Sequence, residues 1–433
     1  MMRTLLMGMV GLAGCMRPGE FPTCESEADQ IAFDETPTWS DDVAPILHEH
    51  CAGCHRPDAT GPFPLLEFDE AAPFAGAIAS AVVERRMPPA GPTNCGECQS
   101  FSNAPWLSDR EIALLRDWAA GGAPEGDSAE SPVPPPPVDT DLPRVDRTVE
   151  MAQDYQPTGS SDDYRCFVVD PEIAKKKFLT GFSVAPGNPD AVHHVILYGL
   201  YTTADKKNAK RLQSKDDRPG FRCFGTSGID NAPMLAAWAP GTPPIVYPQG
   251  TGVRLTPNMK LIMQVHYHVE GGDTAPDRSA MNLMLADSVP EEAVVYPIGN
   301  YGFEVPPGKE SFEDDETWYD FIGPVGDITL HAVAPHMHTA GLKMQVEVGR
   351  GSYRECLMDV QHWDFDWQGM YFYEDPVTIR GGVATRVSCT WDSSDRKKWT
   401  AWGDGTEDEM CLALFYVTDL PQKRLDEWYG SLQ

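Results

Sequence analysis

The chain has 433 residues, and its 34 Lys and Arg against 65 Asp and Glu give a net charge of −31 and a pI near 4.6. Nucleic acid is excluded as a partner, because a phosphate backbone is bound by a positive field and this chain carries a negative one. The 41% hydrophobic content is enough for buried cores, although the mean hydropathy is −0.36. The length predicts two or three domains, and 38 Gly with 39 Pro favour turn-rich β structure.

The N-terminus has the pattern of a secretion signal. An apolar stretch over residues 5–12 follows a single positive charge, and residues 12–15 resemble the lipobox of bacterial lipoproteins. An ordinary signal peptide is the alternative. We therefore predict a signal peptide over residues 1–14, lipidation of Cys15 and a flexible tether over residues 15–35. This places the chain in the bacterial cell envelope, facing the periplasm or the outer surface and held at the membrane by its lipid. No later run of 18 or more apolar residues predicts a membrane span.

A C-x-x-C-H motif predicts a covalently attached c-type haem. In this motif Cys51 and Cys54 form two thioethers and His55 is an axial ligand of the iron. Met87 is the candidate second axial ligand, because a thioether raises the haem potential. It lies in a proline-containing loop just after a predicted helix over residues 70–86.

The segment around this motif resembles the small cytochromes c over residues 36–125, which implies a small all-α haem domain. A capped helix predicted over residues 108–121 completes it. Cys95 and Cys98 have the spacing of half a zinc site, but no nearby pair supplies the other two ligands. In an oxidising compartment we expect a disulfide instead, either local or between one member and Cys24.

A proline-rich stretch over residues 126–150 separates this segment from the rest of the chain and predicts a semi-rigid spacer. Beyond it, short runs of Val, Ile, Leu, Tyr and Phe alternate with Pro-Gly, Asn-Pro and Gly-Gly turns, the pattern of antiparallel β-sandwiches. Examples of the predicted strands are Lys260–His268, Ile328–Val333, Leu342–Val348 and Cys411–Val417.

Most histidines of this part fall in three short motifs. His193 and His194 are adjacent, His266 lies in Q-V-H-Y, and His336 and His338 form H-x-H. Residues i and i+2 share a strand face, so the H-x-H pair can hold one ion. The adjacent pair points to opposite faces of a regular strand, so joint ligation requires a strand end or a bulge there. Imidazole suits copper and zinc alike, and a structural zinc pair is the alternative for H-x-H.

The ordered combination H-H-x-x-L-Y, Q-V-H-Y, H-x-H and a C-terminal Glu-Met-Cys resembles the signature of the copper type II, ascorbate-dependent monooxygenases over residues 162–418. The resemblance implies an enzyme that inserts one oxygen atom of dioxygen into a C–H bond. It also implies two jelly-roll-like sandwich domains, over residues 151–290 and 291–433, each with one copper ion facing a solvent-filled cleft.

The resemblance implies two sets of copper ligands. The electron-storing set consists of His193, His194 and His266. The oxygen-binding, catalytic set consists of His336, His338 and Met410. A soft thioether in the second set favours Cu(I) and leaves a position for dioxygen. A disulfide between Cys389 and Cys411, steadying the loop that carries the methionine ligand, is implied as well.

The remaining histidines and cysteines are assigned supporting roles. We interpret His268 and His331 as groups that lie near the metal ligands and do not bind the metal themselves. His362 is interpreted as a structural residue. The aromatic segment over residues 363–368 is assigned to the core in preference to the cavity lining. Of eleven cysteines, one is assigned to lipid and two to haem, which leaves an even number suited to four disulfides. Cys166–Cys223 is our preference for a second pair.

The chain departs from the peptide-amidating branch of that family at three positions. Where that branch has an Arg and polar groups that hold a carboxylate, this chain has Ala334, Leu412 and Leu414. A carboxylate buried there would have no partner, which is costly. We therefore expect an uncharged or hydrophobic small-molecule substrate rather than a peptidylglycine.

The predicted architecture is a small all-α cytochrome c domain followed by two all-β jelly-roll-like antiparallel sandwich domains. Because the haem motif and the copper motifs share one chain, we expect the haem to pass electrons to the three-His copper. An external donor, an ascorbate-like reductant or a redox protein, would reduce the haem. The alternatives are an electron-transfer or copper-handling lipoprotein without monooxygenase activity, and an oxidase that reduces dioxygen without inserting it.

Overall fold

The computed structural model describes residue 24 and residues 26–429, apart from positions 58, 60, 90, 138–140, 159–161, 231, 241, 270–273, 319–325, 351–352, 404 and 406. The predicted signal peptide over residues 1–14 and the predicted lipidation site Cys15 lie outside the described residues. No helix in the described ranges is long and apolar enough to cross a membrane.

The N-terminal part of the chain contains short helices. They are α1 (Ala44–His50), α2 (Phe68–Ala71), α3 (Ala75–Val83) and α4 (Asp109–Ala120), with 3-10 turns at Ala28–Gln30 and Ala72–Phe74 and a π-helical turn at Trp39–Val43. The predicted helix over residues 70–86 is broken, because Pro73 lacks the amide hydrogen that a continuous helix needs. Helix α4 begins with a capping box, in which the Ser108 hydroxyl accepts the Glu111 amide and the Glu111 carboxylate accepts the Ser108 amide at 2.7 Å.

The rest of the described chain is built from β-strands. The first ten are β1 (Arg147–Glu150), β2 (Asp162–Val169), β3 (Lys177–Ala185), β4 (Val192–Leu200), β5 (Phe221–Arg222), β6 (Met234–Trp238), β7 (Ile245–Val246), β8 (Thr251–Leu255), β9 (Lys260–His268) and β10 (Ala280–Ala286). The last ten are β11 (Glu291–Gly299), β12 (Glu304–Val305), β13 (Phe312–Trp318), β14 (Ile328–His336), β15 (Gly341–Arg350), β16 (Tyr353–Val360), β17 (Tyr371–Ile379), β18 (Ala384–Trp391), β19 (Thr400–Ala401) and β20 (Leu412–Thr418). Two helices accompany them, α5 (Thr203–Gln213) and α6 (Gln422–Trp428).

A nine-stranded sheet runs through both halves of this β region in the order β1-β10-β3-β8-β11-β20-β14-β17, with β7 paired to β3. The five-stranded sheet β5-β2-β9-β4-β6 packs on its first half, and the four-stranded sheet β13-β18-β15-β16 packs on its second half. Strand alternation explains the packing: β10 alternates between buried and partly exposed side chains along its whole length. A single buried apolar cluster continues across both halves.

Strand β11 joins the two halves. Its first residues pair in parallel with β8, from Glu291 with Thr251 to Ala293 with Val253, and its remainder pairs antiparallel with β20. The two sandwich-like units therefore share one sheet instead of meeting as separate bodies.

The predicted fold class, with a small all-α cytochrome c domain in front of two sandwiches, is wrong. The described chain is mostly β, and its N-terminal helices are few and short, from 4 to 12 residues. Residues of this part also join the β region: Phe101 lies in its core cluster and forms a β-bridge with Tyr373. The C-x-x-C-H motif and the helix caps are local signals, and they do not determine whether the segment builds a domain of its own.

One disulfide fixes the N-terminal part to the second β unit. The described cysteines form the predicted number of four, which are Cys24–Cys95, Cys98–Cys356, Cys166–Cys223 and Cys389–Cys411. The second of these joins the N-terminal part to β16 across 258 residues of sequence. The spacer is held as well, because the Arg56 guanidinium donates to the carbonyl oxygens of Pro135 and Pro136 at 2.8 and 3.0 Å. The N-terminal part is thus docked on the β region.

Candidate metal centre

Three histidines of the first β unit converge. His193 and His194 lie on β4, and His266 lies on the neighbouring strand β9. The pairing register of these strands shifts between Val192 and His194, so His193 occupies the bulge that joint ligation requires. One ring nitrogen from each histidine lies within 4.8 Å of the others, and the Nδ1 atoms of His194 and His266 are 3.4 Å apart. We call these residues the three-His cluster.

Asp162 orients the His266 ring in this cluster. The Nε2–H group of His266 donates to Asp162 Oδ1 at 2.8 Å, which leaves Nδ1 directed at His194. The Tyr164 ring stacks on the His266 ring, with centroids 4.0 Å apart and an angle of 6° between the planes. A carboxylate that holds the distal nitrogen of a metal-binding histidine fixes its tautomer and raises its basicity.

Burial keeps the cluster neutral. Desolvation, followed by the neighbouring histidines, lowers the pKa of His193 to about 3 and that of His194 well below its ordinary value. Burial also lowers the pKa of His266, although Asp162 opposes the shift. The Nδ1 atom of His193 is buried and has no hydrogen-bond partner among the described residues. Neutral imidazoles with an unpartnered nitrogen fit a bound metal ion, and imidazole nitrogens suit copper.

His336, His338 and Met410 belong to the second β unit. His336 ends β14 and His338 follows just beyond it, with ring centroids 5.3 Å apart. Their Nδ1–H groups donate to Gln368 Oε1 at 2.6 Å and to the Asp408 carbonyl oxygen at 3.1 Å. Each ring therefore presents Nε2 as its free nitrogen. Burial lowers the pKa of His336, and burial together with His336 lowers the pKa of His338 to about 3.

Glu409 connects the two chain segments that carry this second set. Its fully buried carboxylate accepts the backbone amides of His338 at 3.1 Å and Ala340 at 2.6 Å, and also Trp391 Nε1–H at 3.1 Å. Burial raises the pKa of the Glu409 carboxyl group to about 7, although the backbone amides that donate to it oppose this shift. The buried Met410 follows directly, and the Cys389–Cys411 disulfide fixes the next residue.

One cavity of about 800 Å³ joins the two sets. His194 of the first unit lines one side of the cavity. The ligand candidates of the second unit, His336, His338 and Met410, line the other side. The volume is in the range of small-molecule sites. Most of the other lining side chains are apolar or aromatic, and they include Ile196, Met234, Trp238, Val295, Trp402 and Trp428.

The described part of the cavity wall offers no cation for a carboxylate. Ala334, Leu412 and Leu414, the three positions that depart from the peptide-amidating pattern, all line it. Its described lining contains no Lys or Arg, whereas Asp230 and Glu427 do line it. The wall therefore suits apolar groups and disfavours anions.

The three remaining histidines of the β region have separate surroundings. His268 Nδ1 lies 3.3 Å from Asp162 Oδ1, beside the three-His cluster. The buried His331 ring contacts the Thr418 hydroxyl at 2.8 Å. His362 is exposed and lines a small cavity of about 60 Å³ between the N-terminal part and the second unit.

Sequence reasoning missed Asp162, Gln368 and Glu409. Asp162 pairs with His268 across β2 and β9, and the sequence analysis predicted neither strand β2 nor this register. Glu409 was visible only as part of the Glu-Met-Cys signature. For Gln368, no sequence signal points to His336, because its contact depends on the path of a loop.

The C-x-x-C-H motif begins at the C-terminal end of α1. Cys51 and Cys54 are free thiols, unlike the other described cysteines. The Nδ1–H group of His55 donates to the Phe63 carbonyl oxygen at 3.0 Å, which leaves Nε2 free. Met87 is 39% exposed and lines the small cavity of His362, which the motif residues do not line. The structure thus presents two free thiols and one free imidazole nitrogen within the motif.

These observations define a class: a β-sandwich protein with two histidine-based candidate metal sites beside one cavity. Comparison with known families identifies it further. Residues 148–273 match the N-terminal domain, and residues 300–426 the C-terminal domain, of the copper type II ascorbate-dependent monooxygenases. Together they cover more than half of the chain, which belongs to this family. The predicted resemblance is confirmed, whereas the comparisons do not show a cytochrome c fusion.

Curated relatives agree with this assignment. Peptidyl-glycine alpha-amidating monooxygenase A of Xenopus laevis is 25% identical over 281 residues, which cover 63% of this chain and 28% of that protein. Dopamine beta-hydroxylase of Rattus norvegicus is 26% identical over 263 residues, covering 54% and 42%. DBH-like monooxygenase protein 2 of Mus musculus is 25% identical over 273 residues, covering 58% and 42%. The chain thus spans less than half the length of each of these relatives.

Among solved structures, the major capsid protein P2 from bacteriophage PM2 aligns over 64% of this chain and 98% of that chain, at 9% identity and a TM-score of 0.25. We draw no conclusion from a likeness this weak.

Proposed function

We propose that the protein is a copper-dependent monooxygenase that hydroxylates a C–H bond of an uncharged, hydrophobic substrate. The observation that carries the proposal is the apolar cavity lined by His194 of the three-His cluster and by His336, His338 and Met410. In balanced form, R–H, dioxygen, two electrons and two protons give R–OH and water. The family to which the chain belongs uses two copper ions, dioxygen and an ascorbate-type reductant.

The residues of each set have defined tasks in this proposal. The three-His cluster would hold the electron-storing copper, with Asp162 fixing His266. His336, His338 and Met410 would hold the copper at which dioxygen is activated. Copper, when bound, supplies one-electron redox chemistry and the activation of dioxygen. The apolar wall binds the substrate and keeps its C–H bond beside the second set.

Substrate-dependent oxygen consumption tests the proposal. With copper-loaded protein and ascorbate, we expect apolar alcohols, aromatics or terpenoid-like compounds to raise oxygen uptake, and peptides ending in glycine to be inactive. A matched pair of variants, His266→Ala and Met410→Ala, should each retain one of two copper ions and lose the uptake. Oxygen uptake that is equal with and without every organic compound would identify an oxidase and contradict the proposal.

We also propose that a c-type haem on Cys51 and Cys54, with His55 as axial ligand, supplies the electrons. Free thiols at both cysteines and the His55–Phe63 hydrogen bond support this, because that bond orients Nε2 for a metal. The Cys98–Cys356 disulfide holds the segment on the copper-binding unit, so delivery within one molecule is favoured. We keep Met87 as the candidate sixth ligand on its sequence context alone.

Spectroscopy of protein matured with a haem-attachment system tests this second proposal. The expected result is a covalent haem whose ferrous absorption bands decay when copper(II) is loaded in the absence of oxygen. A protein without covalent haem, or one whose ferrous haem is indifferent to copper, would contradict it. Cys54→Ser is the matched control for attachment.

We further propose a lipid anchor at Cys15 that holds the chain in the bacterial cell envelope. The four disulfides support an oxidising compartment. Labelled palmitate should enter the full-length chain and be lost in Cys15→Ser. Equal labelling of both would contradict the anchor.

A further inference from the structure

One loop of the second unit reaches across to the first. It runs from Trp363 to Gln368 between β16 and β17, and we call it the crossing loop. Its aromatic side chains Trp363, Phe365 and Trp367 are half-buried, whereas Asp364 and Asp366 between them are exposed. One side of the loop therefore faces protein and the other faces solvent.

Phe365 touches a histidine from each ligand set. Its ring stacks on His193 of the three-His cluster, with centroids 5.0 Å apart and planes 22° apart. It also meets His338 of the second set edge to face, with centroids 6.2 Å apart and planes at 85°. Contacts of this geometry between aromatic rings are attractive and orientation-dependent. A single side chain thus spans the gap between the two sets.

The loop is anchored on both units. On the second unit, Trp363 Nε1–H donates to the His338 carbonyl oxygen at 3.1 Å, and Gln368 Oε1 accepts from His336 at 2.6 Å. On the first unit, the Thr242 hydroxyl donates to the Gln368 carbonyl oxygen at 3.1 Å. These bonds hold the loop at the interface, so the position of the Phe365 ring is set from both sides.

We infer that Phe365 is a positioning residue that fixes the spacing and orientation of the three-His cluster relative to His336 and His338. The inference rests on the proposed function for the identity of both sites as copper sites. With copper bound at both sets, the first set would store one electron for use at the second. The reductant would supply both electrons and dioxygen would accept them. Because the units share one sheet, their overall placement is fixed, and the Phe365 contacts set the local position of the histidine rings on either side of the cavity.

The matched variants are Phe365→Leu, which removes the ring and keeps an apolar side chain, and Phe365→Tyr, which restores a ring. Trp367→Leu is the control, because it removes another half-buried aromatic side chain from the same loop. The described ring contacts of the loop with the ligand histidines are those of Phe365. Copper content and the dipolar interaction between two Cu(II) ions in the electron paramagnetic resonance spectrum are the primary readouts. Neither readout requires turnover.

We expect all four proteins to bind two copper ions. The dipolar interaction should have the same strength in wild type and Trp367→Leu, a different strength in Phe365→Leu and the wild-type strength again in Phe365→Tyr. With a substrate in hand, kcat of Phe365→Leu should fall on the order of 10- to 100-fold while KM is kept, as for groups that position metal ligands.

The outcomes separate this inference from the proposed function. Wild type that binds fewer than two copper ions contradicts the proposed function. Two copper ions with a dipolar interaction of wild-type strength in Phe365→Leu, or with none in wild type, overturn the role of Phe365 and leave the proposed function standing.

Discussion

Replacing Asp162 should weaken copper binding at the three-His cluster and leave the second set intact. The carboxylate accepts His266 Nε2–H at 2.8 Å, and both side chains are largely shielded, with 17% of Asp162 and 3% of His266 exposed. Asp162→Asn keeps the shape and removes the charge. Asp162→Ala also removes the hydrogen bond, so the His266 ring is free to turn its Nδ1 away from His194.

The expected magnitudes follow from the strengths of these bonds. A hydrogen bond between neutral groups contributes about 1 kcal/mol and one to a charged group about 1.5–3 kcal/mol. Asp162→Asn should therefore cost about 0.5–2 kcal/mol, or roughly 2- to 30-fold in the copper Kd. Asp162→Ala should approach the upper end of the 10- to 100-fold range of such partners.

A competitive chelator titration monitored by the Cu(II) resonance signal measures both Kd values in one protein, so the second site serves as an internal reference. Asp170→Asn is the matched control, because Asp170 directly follows the same strand but pairs with Lys260 at the surface. Unchanged affinity in Asp162→Ala, or equal weakening at both sites, would refute the role assigned to the carboxylate.

Three further outcomes are expected. Converting Cys98 and Cys356 to Ser should lower the free energy of unfolding by about 2–5 kcal/mol, and denaturant curves that coincide with wild type would contradict the docked arrangement. Burial raises the pKa of Asp359 from 3.8 to about 6. Between these two pH values the folded state binds more protons than the unfolded state. The free energy of unfolding therefore falls as pH rises through this range, by up to ~1.4 kcal/mol per pH unit. Asp359→Asn should flatten that slope in pH-dependent denaturation, and the exposed Asp375→Asn should retain it; a slope kept in Asp359→Asn contradicts the assignment. Glu409→Gln should reduce copper content at the His338 site alone, because it weakens the acceptor that holds this segment in place; full loading of both sites would argue against it.

The ligand candidates could be predicted because their signals are local. His193 and His194, the Q-V-H-Y motif and H-x-H each occupy a few consecutive residues, and their order along the chain indicated the family. The requirement for a bulge at His193 followed from strand geometry alone, and the structure has a register shift there.

Contacts between distant parts of the chain could not be predicted in the same way. Asp162 reaches His266 across 104 residues through the register of two strands. The shared sheet depends on the parallel pairing of β11 with β8. No turn signal in the sequence specifies this pairing. In the N-terminal part, the haem motif and the helix caps led to the wrong prediction of an all-α domain. Neither signal indicates that Cys98 forms a disulfide, and Phe101 a β-bridge, with the β region.

Incubation with isotopically labelled dioxygen tests the central claim most directly. Copper-loaded protein, ascorbate and a substrate that stimulates oxygen uptake should give an organic product carrying one labelled oxygen atom, and the His338→Ala variant should give none. Oxygen consumption by the loaded protein that leaves every organic product unlabelled would contradict the assignment as a monooxygenase.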